Sequence, residues 1–324
     1  MKWFASESPN FGVISANQIE ASDYFYIAPQ PNNRLFSILD LVGIQPYLWV
    51  LKEQPDRYVL VDGYARWEWA KKTGCDHVPC MVFPISTPKE ELLKTRILVK
   101  ISERFLSLEE KAVIVEKLSQ FYSTQEIEQR FFPLLGLPLK PGLYKQLVAI
   151  ATASGEFRQA IRNGLFEDKV ALRLVLWDER SRQEAIKVFS QIQCSVSLQR
   201  EIIDHVEDMA RLENALPADV LAHPDIESIL LSPILNPRQK TEHIRSFLKN
   251  RLFPHFTERE ARFRQFVATL GLPQGVDFKP PDQFEGDDWE VRIRFTKPEE
   301  LIDKFKIASE KLTLEALKKI CYGE

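Results

Sequence analysis

The stretch RYVLVDGYARWEWAKKTGCDHVPCMVF, Arg57 to Phe83, decides the fold. Apolar residues alternate as far as Asp62-Gly63, the pattern of a strand. An aromatic-rich segment follows, Tyr64 to Thr73, with Arg66 in its first turn and Gly74 placed for a left-handed cap, so a short helix is expected. Pro79 is expected to open a second strand, CMVF, which Pro84 ends. A strand that passes through glycine into a helix leaves the first backbone N–H groups without partners. Gly63 permits close approach of a phosphate, and Arg66 adds a forked donor. The same spacing also describes an ordinary strand–glycine–helix turn, in which Arg66 pairs with a nearby carboxylate while Trp67, Trp69 and Ala70 pack the helix down.

Upstream, LFSILDLVGIQP (Leu35 to Pro46) has apolar residues at helical spacing, with Gly43 as a stop and Pro46 just beyond. YLWVL (Tyr47 to Leu51), a turn at Pro55-Asp56 and YVLV (Tyr58 to Val61) form a hairpin that feeds the helix. Downstream, from about Glu90 to His223, the period is 3.6 almost throughout. Ser107 with Glu110 is a capping box at the head of SLEEKAVIVEKLSQFY, and Ser123 or Thr124 caps STQEIEQRFFPLLG, which ends at Gly136. A third helix, LYKQLVAIATA, begins near Gly142. Three short helices with a tight connection before the third have the outline of a helix-turn-helix. SLQREIIDHVEDMARLENAL is a further amphipathic helix. In the last hundred residues two helices meet at Pro254, LPQGVDFKPPDQFEGDD is a connector, WEVRIRF alternates as a strand, and KPEELIDKFKIASE and LEALKKICYG are helices.

The 324 residues, 44% hydrophobic, support a folded chain of two or three domains. No apolar run is long enough to cross a membrane, and MKWFASESPNFG is not a secretory leader, so a cytoplasmic protein is expected. The four cysteines Cys75, Cys80, Cys194 and Cys321 are few and scattered, which fits reduced thiols. Cys75, His77 and Cys80 lack a fourth ligand nearby, so no metal site is assigned and Cys80 is expected in the core. With a net charge of −3, any nucleic-acid surface must come from local clustering. Two candidates exist. Lys140, Tyr144, Lys145 and Gln146 stand at the start of the third helix, with residue types suited to phosphates and base edges. Arg238, Arg245 and Lys249 share one side of a carboxyl-terminal helix, within a basic run that extends to Arg264. Either set could equally be a solvated helix face.

In its order of elements the chain resembles the ParB/sulfiredoxin superfamily, and its ParB-like partition proteins in particular. GIQPYLWV is similar to the family's entry strand, VLVDGYARWEWAKKTGCDHVPCMV to its first box, ERFLSLEEKAVIVEKL to the segment after its second box, and GLFEDKVALRLVLWDE to its central DNA-binding domain. The resemblance spans roughly Ser37 to Met209. It implies an α/β amino-terminal domain (1–90), a mainly α domain with a helix-turn-helix (91–223), and a small α/β carboxyl unit with basic helices (224–324). It also implies DNA as partner, a nucleoid-associated location, a homodimer formed through the carboxyl unit, and CTP with Mg²⁺ held by Gly63, Arg66 and Arg104. The departures weaken that nucleotide site. Tyr64 replaces a Glu, Ala65 and Glu68 replace arginines, and Lys100 and Ile101 stand where the second box has Glu and Asn. Weak or absent nucleotide hydrolysis is therefore expected. At Gly63-Tyr64-Ala65-Arg66 the sulfiredoxin thiol is missing, as are both histidines of the free-serine kinase branch. Two further readings stay open: a Mg²⁺-dependent nuclease or small-molecule kinase with Asp62 as metal ligand or base, and a protein–protein adaptor whose pocket is filled by Tyr64 and the tryptophans.

Overall fold

The computed structural model describes residues 8–27, 33–45, 47–103, 105–281, 284, 286 and 288–322. Arg104 and Pro46 lie outside the described residues. The chain divides into two compact units, 1–190 and 191–324. No helix among the described residues is long and apolar enough to cross a membrane.

The first unit opens with an α/β region followed by a mostly helical body. The hairpin forms as β3 (Leu48–Gln54) and β4 (Arg57–Asp62), antiparallel, and delivers the chain into α2 (Tyr64–Thr73). Gly63 at φ +95° enters that helix and Gly74 at φ +68° ends it. The strand after it, β5 (His77–Phe83), starts two residues before Pro79. Pairing explains the difference: β5 lies between β1 (Asn10–Ser15) and β3, but β3 joins it only from Cys80 onward. At Pro79 a single neighbour has to be served, and the missing N–H is tolerated. With β2 (Ile19–Glu20) beside β4, the sheet runs β1-β5-β3-β4-β2. β1 was not expected from the sequence; its Phe11 and Val13 lie half or more exposed on the edge. α1 (Asn33–Val42) precedes the hairpin. The core behind it gathers Leu48, Val50, Leu60, Tyr64, Ala70, Val78 and Cys80. Cys80 is fully buried, and burial pushes its thiol up to about 12.

The helical body contains α3 (Lys89–Glu103), α4 (Leu108–Leu118), the single turn α5 (Thr124–Glu126) running into a π turn over Ile127–Phe131, α6 (Leu143–Thr152), α7 (Gly155–Arg162), α8 (Asp168–Leu174) and α9 (Glu179–Phe189). Both expected capping boxes form, with Ser107 on Glu110 and Ser123 on Glu126. Gly142, at φ +83°, turns the chain into α6.

α4 is buried over most of its surface, its charged residues included. Each buried charge has a partner. Glu109 accepts two hydrogen bonds of 2.7 Å from Arg162 of α7, and Glu110 lies 2.9 Å from the Lys100 ammonium of α3. The Lys117 ammonium donates to the carbonyls of Asp23 (2.8 Å) and Tyr24 (3.0 Å), ahead of the sheet's third strand. Burial lowers the Lys117 pKa.

The second unit comprises α10 (Val196–Leu212), α11 (Pro217–Leu221), α12 (Pro224–Leu231), α13 (Pro237–Leu252) and α14 (Pro254–Leu270), then the hairpin β6 (Val276–Lys279) and β7 (Glu290–Ile293), then α15 (Pro298–Lys311) and α16 (Leu314–Tyr322). VDFK, read above as part of a connector, is strand β6. It buries Val276 and Phe278 while pairing with β7, a period of two too short to stand out between Gly275 and Pro280.

Candidate functional site

The site follows from the strand β4, its terminal Asp62, the left-handed Gly63 and the first turn of α2. A Cβ built on Gly63 would lie 2.5 Å from Leu48 Cδ2 and 3.2 Å from Arg66 Nη2, so the glycine is required both by its backbone angle and by the Leu48 side chain beneath it. Arg66 folds back along the helix start, and its Nη2 sits 3.2 Å from Asp62 Oδ2. Asp62 uses its other oxygen as well, accepting a 3.1 Å hydrogen bond from Nε of Arg96. One carboxylate thus stands between two guanidiniums.

Arg96 is absent from the sequence-based set. It belongs to α3 and is only 3% exposed. Its guanidinium lies 5.1 Å from the centroid of the Tyr64 ring, and its Nη1 is buried with no hydrogen-bond partner among the described residues. In the sequence a single Arg within TRILVK reads as the solvent stripe of an amphipathic helix. No local signal in the sequence links Arg96 to Asp62, 34 residues away.

Tyr64, standing where the resemblance calls for a Glu, points inward. It is 5% exposed, and its hydroxyl lies 2.8 Å from the Ser22 carbonyl and 3.0 Å from that of Leu60. Burial pushes its phenol up to about 12. The ring also packs edge-on against Tyr26, centroids 5.2 Å apart. Trp67 is partly buried against the core, its indole N–H without a hydrogen-bond partner among the described residues, while Trp69 donates to Asp40 at 2.7 Å. Lys100, at the position of the second box's Glu, is drawn into its pair with Glu110. No group of three or more His, Cys, Asp or Glu side chains suited to a metal ion occurs among the described residues.

The expected nucleic-acid residues separate into two kinds. Lys140 and Lys145 are exposed around the start of α6, with Tyr144 half-buried between them, while Leu143, Leu147 and Ile150 of the same helix are buried. Gln146 instead donates a 2.8 Å hydrogen bond to the Leu172 carbonyl and holds α6 to α8. In the second unit Arg238 is exposed, but Arg245 is gripped by Glu201 (2.8 and 2.9 Å) and by Glu242 (2.9 Å). Lys249 lies 3.3 Å from Glu260 and over the Phe256 ring. Arg251 pairs with Glu213, Arg262 with Glu258 and Arg264 with Glu260. Most of this basic run is therefore neutralised by its own unit.

No family model matches the chain, and no curated protein matches it. Among solved structures it is similar to a pNOB8-like ParB N-domain, at 14% identity and a TM-score of 0.38 over 78% of this chain and 97% of that one. It is also similar to the C-terminally truncated chromosome-partitioning protein ParB of Caulobacter crescentus. In the form complexed to the centromeric parS site the identity is 16% and the TM-score 0.32, over 58% of this chain and 96% of that one. In the form complexed with CTP-γ-S they are 15% and 0.26, over 51% and 92%.

Proposed function

We propose that the chain is a ParB-like DNA-binding protein of the partition type, located in the cytoplasm with the nucleoid, in which the ancestral nucleotide site is occupied by the protein's own groups. The observation that carries the DNA reading is the amino-terminal end of α6. There Lys140 and Lys145 are exposed and form no ion pair among the described residues, beside Tyr144, on a helix anchored by Leu143, Leu147 and Ile150. The π turn and α6 would then be the two arms of a helix-turn-helix, with α6 offered to the duplex. Arg238 extends the cationic set; Arg245 and Lys249 serve the fold of their own unit. Self-association would use the carboxyl unit, where Ile302 and Phe305 of α15 are exposed.

At the first site, Asp62 supplies internally the negative charge that a phosphate would bring, and Tyr64 fills the space beside it. Gly63, Arg66 and Arg104 remain the groups that would meet a phosphate of CTP. An enzyme reading needs Asp62 as base or Mg²⁺ ligand, and both of its oxygens already face guanidiniums. That arrangement favours a retired site over a catalytic one.

The test is duplex binding by fluorescence anisotropy as salt rises from about 50 to 200 mM, where each phosphate neutralised contributes about 0.9 to the log–log slope. Wild-type protein should bind, and Lys140→Glu with Lys145→Glu should flatten the slope by about two contacts. Absence of binding at the lowest salt, or a slope untouched by the double variant, would overturn the proposal.

A further inference from the structure

A second site lies between α3, α4 and the π turn, the same turn that the DNA reading makes one arm of the helix-turn-helix. A cavity of about 180 Å³ is walled by Ile97, Leu98, Leu118 and Leu134, with the rings of Tyr122 and Phe131 at one side. Leu98 and Leu134 are about half exposed, so the apolar wall opens to solvent. Two cations stand at the rim, both laid over aromatic faces. The Lys94 ammonium is 4.8 Å from the Phe121 centroid and 5.2 Å from that of Tyr122. The Arg130 guanidinium is 5.6 Å from Tyr122 and 5.9 Å from Phe131.

The π turn explains how Arg130 and its neighbour Phe131 both meet the Tyr122 ring, whose centroid is 5.0 Å from that of Phe131. Turns of this kind interrupt an α-helix at a cost and recur at functional sites. The carboxylates nearby are already committed. Glu90 pairs with Lys94, and the Glu126 carboxylate accepts from the backbone and hydroxyl of Ser123. Arg130 is exposed, is laid over two rings and forms no ion pair among the described residues, with Glu126 close enough to feel its charge.

Size and charge together select the occupant. Pockets for whole small molecules run from about 300 Å³ upward, whereas this one matches a single large side chain, the anchor of a protein interface. A guanidinium stacked on rings at the mouth complements a carboxylate beside that anchor. We propose that this slot binds an acidic peptide segment of a partner protein, taking one bulky apolar side chain between Leu98 and Leu134 while a flanking Asp or Glu residue meets Arg130.

The experiment uses the full chain and a set of synthetic twelve-residue peptides, each with one central Phe or Leu, flanked by Asp and Glu, by Ser, or by Lys and Arg. Binding is read by anisotropy of the labelled peptide. Acidic-flanked peptides should bind at least about tenfold tighter than the other two sets, and weaken as salt rises. Arg130→Glu should abolish the preference for acidic flanks. Leu134→Ala should weaken all peptides with a Phe or Leu anchor. Both positions are exposed, and unchanged thermal unfolding of the variants serves as the control for fold. Equal binding of all three sets, or a preference that survives Arg130→Glu, would overturn the assignment. So would phenylacetate alone competing as well as the acidic peptide, which would make this a small-molecule site. A concentration-dependent dimer that Arg130→Glu dissolves would assign the slot to a second copy of the chain and overturn it as well.

Discussion

The Asp62 carboxylate is held 3.2 Å from Arg66 Nη2 and 3.1 Å from Arg96 Nε, so an anion is already seated at the start of α2. An internal carboxylate competes with any external phosphate for the same donors. Asp62→Asn should lower stability by removing the shared counter-charge. It should also make the protein more responsive to inorganic phosphate and to CTP. A thermal-shift series with each ligand checks this: the ligand-induced rise should be larger in Asp62→Asn than in wild type, and Arg66→Ala in the same background should cancel it. Equal shifts in the two proteins would remove the competition argument.

Gly63 gives a second expectation. Alanine there must adopt φ +95° and place a Cβ 2.5 Å from Leu48 Cδ2, in the middle of the sheet core. The conformational strain and the displaced leucine together should cost about 2 kcal/mol or more in urea unfolding. A loss below about 0.5 kcal/mol would mean that the turn relaxes freely.

Tyr64 makes the pH dependence specific. Its phenol is pushed up to about 12 in the folded chain, against about 10 when unfolded. The folded state therefore holds the proton more tightly, and the associated stability is intact below pH 10 and lost as the pH rises toward 12. At pH 11 the unfolded side chain is ionised and the folded one is not, which costs about 1.4 kcal/mol relative to neutral pH. Tyr64→Phe should start lower, by about 1 kcal/mol for the lost hydroxyl contacts, and decline less steeply between pH 9 and 11. Parallel curves for the two proteins would contradict the buried-phenol account.

Arg245 and Lys145 should part company when tested. Arg245 is spent on Glu201 and Glu242, groups that are partly exposed, so Arg245→Ala should cost about 1 kcal/mol or less of stability and leave duplex affinity unchanged. Lys145→Ala should leave stability unchanged and weaken binding to every sequence alike. Affinity and unfolding measured on the same two proteins decide the matter.

Local signals were legible where the partners lie close in sequence. Asp62-Gly63, the ten residues of α2 and Gly74 could be read in order because a turn, a helix and a cap are each fixed within a few residues. The same holds for Ser107 with Glu110 and for Ser123 with Glu126. Arg96 was invisible because the group that explains it, Asp62, is 34 residues away. The basic run from Arg238 to Arg264 misled for the same reason. Counting charges along a helix finds Arg245 but not Glu201, its partner 44 residues earlier. Strands β1, β2 and β6 were passed over because two to six residues hold too few alternations to outweigh their loop-like neighbours.

The tether from Lys117 has a practical meaning for dissecting the chain. Its ammonium closes over the carbonyls of Asp23 and Tyr24, more than ninety residues upstream, while Glu109 of the same helix is locked to Arg162. A cut near residue 90 would strip two peptide carbonyls of their cation on one fragment and strand a buried ammonium on the other. Limited proteolysis should accordingly spare that junction, and the first 190 residues should melt in a single step, sheet and helices together.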